Sequence, residues 1–168
     1  MNKYFAFIVL IFLSTLNGIG QTIEVIGVED MENLIREETG RTRVINFWAT
    51  WCRPCIEELP YFEAINQSPD YKNFEVILIS LDFVEDLDSK VKTFADKKNI
   101  KSTIKLLDNV DYNSWIDKVD PSWSGAIPAT LVVNSRFDRR NFFEKQFEGN
   151  ELENMLKDFE SELNQTNK

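Results

Sequence analysis

The 168-residue sequence predicts an α/β fold, a central mixed β-sheet flanked by helices on both faces. Three observations carry that prediction. Residues 44–48 and 74–81 are apolar on both strand faces, the pattern of central strands covered from both sides. Segments with helical spacing alternate with these runs, which layers helices over a sheet. A final pair of extended segments, separated by a short turn, closes the sheet as a hairpin.

Taken in order, residues 23–28 predict a short entry strand. Residues 29–38 carry Met31, Leu34 and Ile35 on one helical face, and Gly40 ends that helix. Residues 44–48 form the central strand. A helix follows from about Pro54, with Pro60 placed to kink it. Residues 74–81 are the second buried strand. Over 84–99, Leu87, Val91, Phe94 and Ala95 recur at helical spacing between charged residues, predicting one helix. Residues 105–107 read as a short extended piece, and 111–119 as one short helix N-capped by Asp111. Residues 129–134 predict a third strand. A turn over 135–139 leads to an edge strand at 142–147. Gly149 and Asn150 open a last helix with Leu152, Met155, Leu156, Phe159 and Leu163 on one side. No internal repeat or low-complexity linker divides the chain.

Composition narrows the function. Apolar residues make up 43%, including 13 phenylalanines and 4 tryptophans, which excludes disorder over most of the chain. A formal charge of -9 argues against binding a nucleic-acid backbone. There is no histidine, which removes the commonest general base and metal ligand, and with them Cys-His proteases and most zinc enzymes.

The first 20 residues read as an export signal. Lys3 and the amino terminus give a positive start, residues 4–13 are apolar, and Gly18-Ile19-Gly20 offers small residues for cleavage before Gln21. The expected organisation is a signal peptide at 1–20 and one domain at 21–168. An uncleaved anchor is the alternative, but the apolar run is short against the roughly 20 residues of a bilayer span. No cysteine follows it to carry a lipid. An exported dithiol drifts toward oxidation, so a reduced pair there depends on a partner that re-reduces it.

Cys52 and Cys55 are the only cysteines, separated by Arg53 and Pro54. They stand directly after a buried-strand pattern and open a helix, the arrangement of a dithiol redox site. At a helix N-terminus the first sulfur meets backbone N–H groups and the positive end of the macrodipole, which favour thiolate. Cys52 is therefore the expected nucleophile and Cys55, one turn deeper, the resolving thiol. Arg53 adds positive charge beside the nucleophile, and Pro54 suits the first turn, where its missing N–H costs little. A structural disulfide, a pair of incidental buried cysteines and half of a zinc site are the rivals. The zinc reading lacks a second pair or any histidine to complete it.

The segment Asn46-Phe47-Trp48-Ala49-Thr50-Trp51-Cys52-Arg53-Pro54-Cys55 resembles the active site of the thioredoxin superfamily, in particular the exported TlpA/ResA/CcmG-like thiol–disulfide oxidoreductases. Gly125-Ala126-Ile127-Pro128-Ala129-Thr130 resembles that superfamily's cis-proline loop. The likeness in element order runs from about Thr22 to Leu163 and implies a thioredoxin-like fold.

That resemblance implies a cis Pro128 packed on the cysteine pair, with the Ile127 backbone free to pair with an extended substrate. An ordinary proline at a strand entry is the plainer reading. Trp48 and Trp51 read as packing and shielding around the site, Trp51 on its substrate side, and Trp123 as core or loop packing. Asn46 stands where cytosolic thioredoxins carry a buried aspartate that helps move the resolving cysteine's proton. Glu58, in a Glu-Leu-Pro that resembles the subgroup's Glu-x-Pro, is the candidate to replace it. A carboxylate near a thiol opposes thiolate when ionised and can accept the thiol's proton. A solvated helix residue is the competing reading, and Glu57 has the weaker claim.

The expected chemistry is dithiol–disulfide exchange on protein substrates, with no bound cofactor and no metal. The resemblance implies a membrane thiol transporter of the DsbD/CcdA type as electron donor, and allows cytochrome c precursors among the substrates. The alternatives are a disulfide-forming oxidase, a peroxidase on the same fold, and a non-catalytic binding module stapled by its disulfide.

Overall fold

The computed structural model describes residues 21–166, so the expected signal peptide and its cleavage point lie outside the described residues. The elements are β1 (Glu24–Ile26), α1 (Val28–Arg36), β2 (Thr42–Trp48), α2 (Arg53–Gln67), β3 (Phe74–Ser80), α3 (Thr93–Lys98), β4 (Thr103–Leu107), α4 (Ile116–Val119), β5 (Ala129–Asn134), β6 (Arg139–Phe143) and α5 (Glu151–Thr166). The six strands lie in the order β1-β4-β3-β2-β5-β6. The first four run parallel, while β5 opposes β2 and β6 opposes β5. Parallel strands need crossover elements, which explains why helices separate them along the chain.

Every residue of β2 is buried, as expected of a strand covered on both faces. Its alternate residues feed two cores. Val44 and Trp48 pack with Leu59, Phe62, Phe147, Leu156 and Phe159 on the side of α2 and α5. Ile45 and Phe47 pack with Met31, Ile35, Trp115, Val119 and Trp123 on the side of α1 and α4. Trp123 is therefore core, with its ring 4.7 Å from that of Phe47.

Three expectations about elements need correction. Residues 84–99 do not form one helix. A 3-10 turn (Val84–Asp86) leads into a π-helical turn (Leu87–Lys92) and then the short α3, which ends at Asn99 in the left-handed region, φ 53°. Such an end suits Asn, whose side chain tolerates that conformation. Residues 111–119 are likewise broken, by Trp115 at φ -140°, and Asp111 makes no side-chain cap. Burying the Trp115 ring overrides the continuous helix. The edge strand is Arg139–Phe143, three residues earlier than the 142–147 expected, because Phe147 leaves the sheet and buries its ring against Phe62 and Phe143. The helix α2 carries Pro60 within its span, Arg53–Gln67.

Candidate active site

The parallel strands β2 and β3 end on the same side of the sheet, where β5 begins. Three loops meet there: the 49–52 turn after β2, the 81–83 turn after β3 and the 124–128 loop before β5. Asp82 joins the first two. Its carboxylate accepts from Thr50 N–H at 2.9 Å, from the Thr50 hydroxyl at 2.5 Å and from the Ser80 hydroxyl at 2.8 Å. The turn that delivers Cys52 is thus tied at both ends, since Cys52 N–H also donates to Ala49 O at 3.1 Å.

Cys52 is the N-cap of α2 and is joined to Cys55 by a disulfide, with Cα atoms 5.3 Å apart. Cys55 N–H donates to Cys52 Sγ at 3.3 Å, so the helix terminus already points a donor at this sulfur. Such a donor stabilises a thiolate more than a thiol. Cys55 is wholly buried, whereas Cys52 keeps 5% of its surface. Arg53 is turned away along the helix, pairing with Glu57 at 2.8 Å. Its charge is shared with that carboxylate, which weakens its influence on Cys52. Pro54 occupies the first turn of α2.

The Ile127–Pro128 peptide is cis, and the Ile127 carbonyl oxygen lies 3.8 Å from Cys52 Sγ. The loop that presents it is anchored twice. The Trp123 indole N–H donates to Ala126 O at 2.8 Å. Glu144 accepts from Ser124 N–H and Ala126 N–H, each at 3.0 Å, and from the Ser124 hydroxyl. These contacts, the Ser124 hydroxyl first, hold the Glu144 carboxyl below the usual carboxylate range. Gly125, at φ 93°, makes the bend that lets both neighbouring amides reach one carboxylate.

Trp51 is 63% exposed, so it stands at the surface beside Cys52 and does not pack into the core. Trp48 does pack, buried with its ring 5.4 Å from Phe94. Phe83, in the adjoining turn, is exposed as well.

Glu58 is fully buried one helical turn after Cys55 on α2. Asn46 Nδ2 donates to its Oε1 and Phe147 N–H to its Oε2, both at 2.8 Å. Burial pushes its carboxyl up to about 7, although both hydrogen bonds favour the ionised form. A solvated helix residue would show neither the burial nor the partners. Glu57, by contrast, lies on the surface and pairs with Arg53.

The structure brings Cys52, Cys55 and the Ile127–Pro128 peptide together and buries Glu58 three residues after Cys55 on the same helix. Sequence reasoning missed Asp82 and Glu144, the two carboxylates that hold the loops. Asp82 follows the apolar run of β3 directly, the one signal that pointed toward it; Glu144 gave none.

The AhpC/TSA family model matches residues 23–137. The chain is 32% identical over 83 residues to the thioredoxin-like protein YneN of Bacillus subtilis, covering 47% of this chain and 48% of that protein. It is 33% identical over 72 residues to the thiol-disulfide oxidoreductase ResA of Bacillus thuringiensis, covering 43% and 40%. The chain thus matches less than half the length of these curated relatives. Among solved structures, a thioredoxin-related protein from Neisseria meningitidis serogroup B superposes with a TM-score of 0.63 at 19% identity, over 76% of this chain and 90% of that one, which shows the shared fold. The family match spans well over half of the 168 residues, and the chain belongs to the AhpC/TSA family.

Proposed function

We propose that this protein is a thiol–disulfide oxidoreductase that reduces disulfides in exported proteins. The observation that carries the reading is Cys52 at the N-cap of α2, disulfide-bonded to a buried Cys55 and faced by the Ile127 carbonyl of the cis-proline loop. ResA, the relative with which it shares 33% identity, is itself a thiol-disulfide oxidoreductase.

In the reaction, the Cys52 thiolate attacks one sulfur of a substrate disulfide and expels the other as thiolate, forming a mixed disulfide. Cys55 then loses its proton and attacks Cys52, which releases the second substrate sulfur. Two electrons have passed to the substrate, and the enzyme carries the Cys52–Cys55 disulfide. Glu58 takes the Cys55 proton and returns it to the departing thiolate or to water. Ile127 and Pro128 align the substrate backbone, and Trp51 supplies an apolar surface for its side chains. Arg53 and Pro54 tune the potential of the pair.

Each turnover leaves the pair oxidised, so a donor of electrons is required. A membrane thiol transporter of the DsbD/CcdA type fits an exported protein, and cytochrome c precursors are one substrate class. The basic start, apolar run and small-residue exit of residues 1–20 support export to the periplasm. Among the described residues, no helix is long and apolar enough to cross a membrane.

The test is the reduction potential of the Cys52–Cys55 pair, read by alkylating free thiols in dithiothreitol and glutathione buffers, together with insulin reduction. A value at or below roughly -250 mV supports a reductase, and one near -120 mV makes the protein an oxidant. Cys52→Ser is expected to abolish insulin reduction and Cys55→Ser to accumulate mixed disulfides. Insulin reduction that survives Cys52→Ser overturns the mechanism.

A further inference from the structure

The buried Glu58 carboxylate is held from outside its own helix by an unusual partner. Asn46 sits at the middle of β2 and is fully buried, and Thr130 is its cross-strand neighbour on β5, also fully buried. Asn46 Nδ2 donates to Glu58 Oε1 at 2.8 Å and to Thr130 Oγ1 at 3.1 Å, with Ala129 O at 3.5 Å. Asn46 Oδ1, equally buried, has no hydrogen-bond partner among the described residues.

These facts define the amide's orientation. Turning it over would set Oδ1 against Glu58 Oε1 and Ala129 O, two acceptors facing a third. The observed orientation satisfies the nitrogen and leaves the oxygen bare. A buried acceptor without a donor destabilises a fold, and Asn is a poor residue for a strand interior. An apolar residue would suit the strand better, so what Asn46 contributes is the donor it aims at Glu58.

We propose that Asn46, braced by Thr130, is a positioning residue for the resolving step, holding the Glu58 carboxylate ionised and ready to accept the Cys55 proton. This rests on the reading of Glu58 as that acceptor. In the step, the Cys55 S–H bond breaks and its proton goes to a Glu58 oxygen. The freed electron pair forms the Cys52–Cys55 bond, and the substrate–Cys52 bond breaks to give a thiolate, which is then protonated by Glu58 or water. Without the Asn46 amide, desolvation acts on Glu58 opposed by Phe147 N–H alone.

Among the described residues, the groups bonded to Glu58 are the Asn46 amide of β2, itself braced by Thr130 of β5, and Phe147 N–H of the segment before α5, and none of these titrates. Cys55, one turn earlier on α2, is held in the disulfide with Cys52. The charges near Phe147, Lys145 and Glu151, pair with each other at 2.9 Å, with Lys145 over the Phe147 ring.

Carboxyl carbon NMR of the oxidised protein follows the Glu58 titration without requiring turnover. Asn46→Leu is expected to raise its midpoint by about one to two pH units, the worth of one hydrogen bond to a charged group. Thr130→Val keeps the strand shape, removes the brace and gives a smaller rise, and Thr130→Ser restores the wild-type midpoint. In Asn46→Leu, release of a substrate linked to Cys52 slows about tenfold at pH 7 and recovers at higher pH, following the lost ionised fraction. If Asn46→Leu does not fold, the Thr130 pair decides. An unmoved midpoint, with release slowed in Glu58→Gln, overturns the assignment of Asn46 alone. Wild-type release from Glu58→Gln overturns the acceptor role of Glu58, and the proposal with it.

Discussion

Replacing Glu58 by Gln preserves the size of the side chain and removes its charge, so the variant isolates what ionisation costs the fold. Burial carries the carboxyl from an ordinary 4.5 to about 7, against the pull of the Phe147 and Asn46 hydrogen bonds. At about 1.4 kcal/mol per pH unit, this corresponds to ~3 kcal/mol of coupling between protonation and folding. Because the folded value lies above the unfolded one, the folded protein binds the proton more tightly. The stabilisation is complete below about pH 4.5 and is lost as pH rises through 7. The unfolding free energy of the wild type, taken relative to Glu58→Gln, is therefore expected to fall by ~3 kcal/mol between pH 4.5 and 8 and then level off. Urea unfolding of both oxidised proteins, at half-unit steps from pH 4.5 to 8.5, reads this difference directly. The absolute offset between the two proteins carries no information, because the Gln amide alters the local hydrogen bonds. A difference that stays constant across the window refutes the burial argument, and with it the claim that Glu58 exchanges a proton near neutral pH.

Two further predictions concern the loops. Asp82→Ala removes the acceptor for Thr50 N–H and for the Thr50 and Ser80 hydroxyls, and is expected to cost about 2 kcal/mol or more in urea unfolding. A loss within experimental error there shows that the turn needs no anchor. Glu144→Ala releases Ser124 and Ala126 and so loosens the placement of Ile127 against Cys52. Its insulin-reduction kcat/KM is expected to drop about tenfold, mainly through KM, as for a displaced positioning group. Unchanged kinetics show that Trp123 alone suffices to hold the loop.

The legible part of the fold was the part governed by local pattern. β5 (Ala129–Asn134) matches its expected limits because every one of its residues is buried and the run is bounded by Pro128 and a turn. The helices at 84–99 and 111–119 differ from expectation because helical spacing of apolar residues does not distinguish a continuous α-helix from 3-10 and π turns that bury the same side chains, Val91 and Trp115 among them. Phe147 looked like the end of an edge strand because alternation over a few residues does not say which side of the sheet closes over them. It instead leaves the strand and turns its amide toward Glu58.

The sequence by itself determined the cysteine pair and its place at a helix N-terminus, since Cys52, Arg53, Pro54 and Cys55 follow a spacing that the chain carries locally. It also marked Pro128, through the short motif around it. Only the tertiary structure decided what surrounds that pair. Glu58 draws its partners from Asn46, 12 residues away, and Phe147, 89 residues away, and loses its water to side chains from α2, α5 and the sheet. Asp82 and Glu144 become loop anchors because strands remote in the chain end on one side of the sheet. Desolvation and hydrogen-bond geometry are set by neighbours in space, and those neighbours exist only once the sheet has assembled.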